Sequence, residues 1–246
     1  FDKYFSLFPW NSLPKESIGF DLGCGSGRWA MLAAPKVGTL HCIDPSSAIK
    51  VAEQNLSYLS NCVFHNESVD SMSLEDNSMD FGYSLGVLHH ISNPLEGLNN
   101  CVNKLKPGAP FLVYLYYALE NRPTWYRAIW YISNFFRRSI SKLPFKLRNF
   151  ISQIIALFIY WPLARFANLM DRLHFNVNSL PLSEYRTKSF YTMLTDALDR
   201  FGTKIEHRFT AEEIQEMMMR SGLENISFSK SAPYWCAIGY KKIISL

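Results

Sequence analysis

The stretch that decides the fold is IGFDLGCGSGRWAMLAA, residues 18–34. A short apolar run comes first, three closely spaced glycines follow it, and a segment of helical composition follows the glycines. This order predicts a strand, a glycine turn and a helix. Glycines let the backbone approach a ligand closely, and a helix N-terminus presents free N–H groups. We therefore expect a ligand site at the end of the first strand.

The spacing of the glycines excludes the dinucleotide fingerprint G-x-G-x-x-G. Counted from Gly23, that pattern needs a glycine where Arg28 stands, and counted from Gly25 it needs one at Ala30. What remains is an acid, Asp21, two residues before G-x-G-x-G. The ligand of this turn is therefore expected to be something other than a dinucleotide.

Outward from this stretch, strand and helix signals alternate. The further strands are predicted at residues 39–43, 62–65, 81–88, 111–117, 226–229 and 234–240. The strands of the first half are apolar along nearly their whole length, which predicts a mostly parallel sheet covered on both faces. The short connection between the last two strands favours an antiparallel pair.

The alternation stops after residue 120 and resumes at a capping box that begins at Thr210. Between them, residues 121–170 carry eight Lys and Arg, no Asp or Glu, and 12 aromatic residues. Because the whole chain has a net charge of +4, the rest of it carries −4. We expect core segments at 1–120 and 206–246, with a helical insertion at 121–205.

The segment DLGCGSG, residues 21–27, resembles motif I of class I S-adenosylmethionine-dependent methyltransferases. Four further segments resemble that family in the same order: CIDP (42–45), MSLEDNSMD (72–80), LGVLHH (85–90) and LKPG (105–108). The resemblance implies a three-layer Rossmann-like α/β fold with an antiparallel last strand and S-adenosylmethionine as cofactor. It also implies methyl transfer, by in-line displacement, to a small-molecule, lipid-linked or glycan-linked acceptor.

The resemblance also implies a set of cofactor contacts. Asp44 would bind both ribose hydroxyls, because an ionised carboxylate offers two acceptor oxygens. Asp21 is expected to hold the glycine loop through backbone hydrogen bonds. The adenine-contacting acid of the family falls on Ser68, a departure that leaves two alternatives: Glu67 or Asp70 substitutes for the acid, or the Ser68 hydroxyl bonds the exocyclic amine. The full expected set is Asp21, Gly23, Cys24, Gly25, Gly27, Asp44, Pro45, Ser68, Val69, Leu85 and Gly86.

Candidate catalytic and substrate residues lie elsewhere. His89 and His90 follow the fourth strand, and the near-neutral pKa of histidine suits a general base; the sequence does not choose between them. Polar residues late in the insertion are candidates for acceptor contacts or, alternatively, belong to a solvated helix and loop: Tyr185, Arg186, Tyr191 and Asp196. The cysteines have no metal-ligand spacing, so no metal site is expected.

Residues 121–170 leave three interpretations open. They lie on an anionic membrane surface, bind an anionic substrate, or form a helical cap packed on the sheet or on a second subunit. No apolar run reaches the roughly 18–20 residues of a membrane-spanning helix, which argues against an integral membrane protein. Long aliphatic stretches favour lipid or core over nucleic acid.

Two alternative functions follow from these interpretations: a non-catalytic methyltransferase-like module that docks on a membrane or partner, and a tRNA methyltransferase. The scattered cysteines and the absence of a signal-peptide pattern predict a cytoplasmic protein, at most peripheral to the membrane. Because the chain opens at Phe1, we expect it to be a piece of a longer protein. The oligomeric state is left open.

Overall fold

The computed structural model describes residues 1–120, 122–177, 180–231 and 235–243. They fall into two compact units, and the second is inserted in the sequence of the first. Unit 1 comprises residues 1–118 and 207–246, and unit 2 comprises residues 119–206. Each unit has its own buried apolar core.

Among the described residues, unit 1 holds one seven-stranded sheet. Its strands are β1 (Ile18–Leu22), β2 (Thr39–Ile43), β3 (Cys62–His65), β4 (Phe81–Leu85), β5 (Pro110–Tyr114), β6 (Leu223–Phe228) and β7 (Cys236–Lys241). They are ordered β3-β2-β1-β4-β5-β7-β6. β1 to β5 pair in parallel, whereas β7 is antiparallel to both β5 and β6. This confirms the predicted mostly parallel sheet with an antiparallel last strand.

The described helices are α1 (Ala30–Ala33), α2 (Ala48–Asn55), α3 (Pro94–Lys104), α4 (Thr124–Ile140), α5 (Phe145–Ile155), α6 (Trp161–Arg172), α7 (Phe190–Gly202) and α8 (Ala211–Arg220). Helices of unit 1, namely α1, α2, α3 and α8, cover both faces of the seven-stranded sheet. One apolar cluster lies between the sheet and α3 and α8, and a second lies between the sheet and α1 and α2. Burial on both faces explains why the first strands lack alternating polar residues.

Several strands differ from their predicted bounds, among them β5, which ends at Tyr114 rather than Tyr117; two differences occur at glycines. β4 stops at Leu85 rather than Leu88, because Gly86 adopts φ +82° and turns the chain into a 3₁₀ turn at Leu88–His90. β6 begins at Leu223, directly after Gly222 at φ +88°. Tyr234, the predicted start of the last strand, lies outside the described residues.

Unit 2 is helical, and α7 lies at its centre. α4, α5 and a π-helical turn at Ala156–Tyr160 all pack on α7. The core of unit 2 contains small side chains, including Ala156 of the π turn and Ala164 of α6, together with Met193 and Ala197 of α7. Small residues let these helices approach α7 closely.

The π turn joins α5 and α6 into one helix of 28 residues, Phe145–Arg172. Its most apolar 18-residue window has a mean hydropathy of 1.5, enough by length and composition to cross a membrane. The prediction that no segment is long enough was therefore wrong. Pro162 lies directly after the π turn, at the second position of α6 and within the continuous helix.

Candidate cofactor and acceptor sites

The glycine loop after β1 is packed on two sides and open on a third. Gly23, Gly25 and Gly27 have φ of +77°, +54° and +84°, the left-handed region that favours glycine. A Cβ at Gly23 would collide with Val87, and one at Gly27 would lie 2.8 Å from Leu56. A Cβ at Gly25 would meet no described atom within 4 Å. A ligand can therefore approach the loop at Gly25.

Asp44, at the end of β2, is tied to this loop. Its Oδ2 accepts a hydrogen bond from Gly25 N at 3.0 Å, and its Oδ1 accepts from Ser46 N at 2.9 Å and Ser46 Oγ at 2.5 Å. A carboxylate has about four lone-pair sites. Asp44 is 9% exposed; it therefore holds the loop and still has acceptor capacity left.

Asp21 does not hold the loop as expected. The carboxylate of Asp21 is buried, and neither oxygen accepts a hydrogen bond within the described part of the chain. The loop is held by the carbonyl oxygen of Ile43 instead, which accepts from Gly23 N at 2.7 Å and Cys24 N at 3.1 Å. Because β1 and β2 pair in parallel, the carbonyl of Ile43 at the end of β2 lies beside the loop and accepts the backbone hydrogen bonds that were expected of Asp21.

Burial raises the pKa of Asp21 to about 8; the Tyr83 hydroxyl partly offsets this rise and the charge of Asp44 adds to it. Asp21 is therefore protonated at neutral pH. A buried carboxyl group beside the Tyr83 hydroxyl and next to an open glycine loop would be favoured in its ionised form by a ligand that carries positive charge.

Cys24 and Pro45 differ in how much side-chain surface they expose near this site. The Cys24 side chain is buried in the same apolar cluster as Cys42, so this loop residue presents only its backbone to the ligand side. The neighbouring Cys24 thiol and burial raise the pKa of Cys42. Pro45 is exposed after Asp44 and starts the loop that leads to α2.

The expected adenine contacts follow β3. Ser68 precedes a 3₁₀ turn at Val69–Ser71, and its N–H donates to Ser71 Oγ at 3.2 Å. The Val69 side chain is buried in the cluster beneath α3. Of the two substitute acids, Glu67 accepts a hydrogen bond from Ser73 N at 2.8 Å, which lowers its pKa, and Asp70 is exposed.

Leu85 and Gly86 lie at the end of β4, next to an aromatic group that the sequence did not assign to the site. Gly86 N donates to Tyr114 O at 3.1 Å. The ring of Tyr4 lies 5.2 Å from that of Tyr114 and 4.8 Å from that of Trp29, which follows the glycine loop. Tyr4 therefore bridges the ends of β1 and β5. The aromatic-rich first ten residues were the only available signal.

The two histidines have different surroundings. His89 is completely buried, and neither ring nitrogen has a hydrogen-bond partner among the described residues. Burial, followed by the charges of His90, Arg208 and His207, lowers the pKa of His89 to about 2. Its ring stacks on Tyr116 with centroids 3.7 Å apart. An enclosed neutral ring is a poor general base, so the geometry argues against that role for His89.

His90 is half-buried, with its ring centroid 4.1 Å from His89 and 5.5 Å from Tyr116. It follows β4 on the 3₁₀ turn Leu88–His90. This partial exposure distinguishes the ring of His90 from the enclosed ring of His89. His90 therefore remains the candidate base.

The four expected acceptor residues in unit 2 do not form one site. Burial and then the nearby Asp196 raise the pKa of Tyr185, so these two lie together. Arg186 Nε instead pairs with Asp171 Oδ2 at 3.0 Å, and Tyr191 is 74% exposed.

Two polar residues that the sequence did not single out lie in the same part of unit 2. The ring of Tyr160 packs 5.3 Å from that of Tyr185, and burial raises the pKa of Tyr160. Arg200 pairs with the buried Glu206 at 2.6 Å. No group of three or more His, Cys, Asp or Glu that could hold a metal ion occurs in the described ranges.

The comparisons with known proteins agree with this geometry. Residues 20–113 match a family described as a methyltransferase domain. The search of curated proteins gives no match. Among solved structures, a putative methyltransferase from Bacillus halodurans C-125 has 14% identity and a TM-score of 0.55, over 93% of this chain and 73% of that one.

Two further solved structures share the fold over most of both chains. A SAM-dependent methyltransferase from Aquifex aeolicus has 16% identity and a TM-score of 0.54, over 98% of this chain and 88% of that one. A SAM-dependent methyltransferase from Methanosarcina mazei has 16% identity and a TM-score of 0.52, over 95% and 96%. These similarities show the fold.

The sheet order and the open glycine loop define the class: this is a class I S-adenosylmethionine-dependent methyltransferase fold. Within that fold, residues 20–113 are similar to a methyltransferase domain. The predicted resemblance to the class I methyltransferase fold is thereby confirmed.

Proposed function

We propose that this chain transfers the methyl group of S-adenosylmethionine to a small-molecule, lipid-linked or glycan-linked acceptor. The observation that carries the proposal is the carboxylate of Asp44 held 3.0 Å from the backbone N of Gly25, a residue whose Cβ position would meet no described atom within 4 Å. The cofactor supplies a sulfonium methyl group whose leaving group is already activated. The protein therefore needs chiefly to align the acceptor and exclude water.

The residues divide this work among them. Asp44 would accept hydrogen bonds from the ribose hydroxyls, and the backbone of residues 23–27 would border the cofactor. Leu85 and Gly86 would line its methionine part, and Tyr4 would shield it from solvent. His90 would accept the proton of an acceptor hydroxyl or ammonium group, because its ring is partly exposed beside β4.

Calorimetric titration with S-adenosylhomocysteine tests the cofactor site. We expect micromolar binding to the wild type and a loss of at least about tenfold in Asp44→Ala. Glu53→Ala, which removes an exposed carboxylate from α2, is the matched control and should bind like the wild type. Equal affinity of Asp44→Ala and wild type would contradict the assignment.

Turnover separates an enzyme from a non-catalytic binding module. Release of S-adenosylhomocysteine in the presence of an acceptor panel would support methyl transfer. Tight binding of S-adenosylhomocysteine without turnover of any small-molecule, lipid-linked or glycan-linked acceptor would favour the binding module. Loss of turnover in His90→Ala, with cofactor affinity retained, would assign the base.

A further inference from the structure

The outer face of α4 exposes large apolar side chains that methyl transfer does not explain. Phe135 is 70% exposed, and its exposed apolar neighbours on the helix are Trp125, Ile129, Tyr131, Ile132 and Phe136. Positions 125, 129, 132 and 136 recur at helical spacing, so they share one face. Monomeric soluble proteins rarely expose apolar patches of this extent without a binding role.

The helix Phe145–Arg172 shows the same arrangement. Its small residues, Ala156 and Ala164 among them, are buried in the core of unit 2 together with Tyr160, whereas most of its other large apolar residues point outward. Phe158 is 69% exposed, and Phe150, Leu157, Trp161, Phe166 and Leu169 are also exposed. A helix that buries alanines and exposes aromatics has its larger apolar surface facing away from its own core.

Positive charge accompanies these faces. Arg127, Arg138, Lys142 and Lys146 are exposed, and none of the four forms an ion pair with another described residue. No Asp or Glu occurs anywhere in residues 121–170. An apolar surface with aromatic residues and unopposed cations matches the physical requirements of an anionic lipid interface.

We propose that the outer faces of α4 and of the helix Phe145–Arg172, called here the docking surface, bind the surface of an anionic lipid bilayer. The aromatic and aliphatic side chains enter the boundary between head groups and acyl chains, and the cations lie at the lipid phosphates. The tryptophans Trp125 and Trp161 sit at the head-group level, where indole rings are favoured.

Two other arrangements fit the structure less well. If the helix Phe145–Arg172 crossed the bilayer, α7 would enter the hydrocarbon with it, because the two are packed together. α7 carries Asp196, Asp199 and Arg200, and burying such groups in lipid is costly. If a second copy covered the docking surface with its own, two faces of the same positive charge would be opposed.

Vesicle co-sedimentation of the full chain tests the proposal. The vesicles contain phosphatidylcholine alone or with about 30% phosphatidylglycerol. The test variant is Phe135→Glu with Phe158→Glu. The control variant is Tyr58→Glu with Tyr191→Glu, which makes the same charge change elsewhere. Tyr58 lies in the turn after α2 and is 66% exposed, and Tyr191 lies on α7 and is 74% exposed.

We expect the wild type and the control to sediment with the anionic vesicles, at least about tenfold more than with neutral ones, and the test variant to remain in solution. Salt at about 0.5 M should release much of the bound protein, because screening weakens the contact with head groups. The fluorescence of Trp125 and Trp161 should shift to shorter wavelength on binding. Unchanged S-adenosylhomocysteine affinity in both variants shows that unit 1 remains folded.

Three results would overturn the proposal. One is no binding of the wild type to anionic vesicles. Another is equal loss of binding in the test and control variants. The third is a concentration-dependent dimer, measured by light scattering, that the test variant abolishes while vesicles have no effect; this would assign the docking surface to a second copy. None of these results depends on whether methyl transfer occurs.

Discussion

Asp21 makes the stability of unit 1 depend on pH. Its pKa is about 8 in the folded protein and near 4 in an unfolded chain. Between these values the folded state binds the extra proton, so stability falls as pH rises. Without cofactor, Asp21→Asn should therefore melt at least about 3 °C above the wild type near pH 8.5 and approach it near pH 4, as measured by calorimetry. A difference that is the same at both pH values would contradict this assignment.

His89 has the opposite dependence. Its pKa is lowered to about 2, so the folded protein keeps the ring neutral while the unfolded chain takes up a proton below about pH 6.5. Stability is then lost as pH falls. We expect His89→Phe, which preserves the stack on Tyr116, to reduce the loss of melting temperature between about pH 6.5 and 5, and to keep turnover that His90→Ala loses. If His89→Phe is folded but inactive, His89 is again a candidate for the general base.

At this scale the sequence predicted which residues gather at the site better than it predicted what they do. The motif placed Asp44 beside the glycine loop, but the hydrogen bond to Gly25 depends on how β1 and β2 pair. The isolation of Asp21 and the enclosure of His89 depend on residues distant in sequence, such as Tyr83 and His207. Local patterns carry no information on such burial.

At the scale of elements, substitutions at two glycines of the loop separate an effect on stability from an effect on cofactor binding. Gly27→Ala combines a left-handed φ with a contact at 2.8 Å to Leu56, so we expect it to destabilise unit 1 by about 2–4 kcal/mol. Gly25→Ala has the left-handed φ but open space, and should cost about 1–2 kcal/mol. Its Cβ would project into the cofactor side and weaken S-adenosylhomocysteine binding. Denaturant unfolding and calorimetric titration measure the two effects; Gly25→Ala with unaltered affinity would place the cofactor elsewhere.

Some element boundaries were predictable because local chemistry sets them. Thr210 Oγ1 accepts a hydrogen bond from Glu213 N at 3.1 Å, and Glu213 Oε2 accepts one from Thr210 N at 2.8 Å, which is the capping box that the sequence showed for α8. Asn93 likewise caps α3. The continuity of the helix Phe145–Arg172 was not predictable, because the π turn at Ala156–Tyr160 has no local sequence signal of this kind.

At the scale of the whole molecule, ligand protection should follow the division into two units. Every proposed cofactor contact lies in unit 1. Hydrogen exchange with and without S-adenosylhomocysteine should therefore show added protection near residues 23–29 and 44–49, and none in α4 to α7. Added protection in α7 would mean that unit 2 takes part in cofactor binding.

The two units also differ in how far hydrophobic pattern predicted them. In unit 1 large apolar residues are buried, so strand and helix periodicity indicated the sheet and its layers. In unit 2 alanines face α7 and large side chains such as Phe135 and Phe158 face outward. Periodicity of the large residues therefore marks the outer face there, and the sequence predicted helices without showing which side was the core.

The position of β7 between β5 and β6 has a consequence for synthesis on the ribosome. β5 emerges with one edge unpaired, and its partner Cys236–Lys241 follows only after the whole of unit 2 has been translated. At about 5–20 residues per second, that edge waits for several seconds. An unpaired, wholly apolar strand edge is a template for aggregation. The nascent chain is thus most vulnerable while unit 2 is being made, and slower translation of that segment should lower the yield of soluble protein.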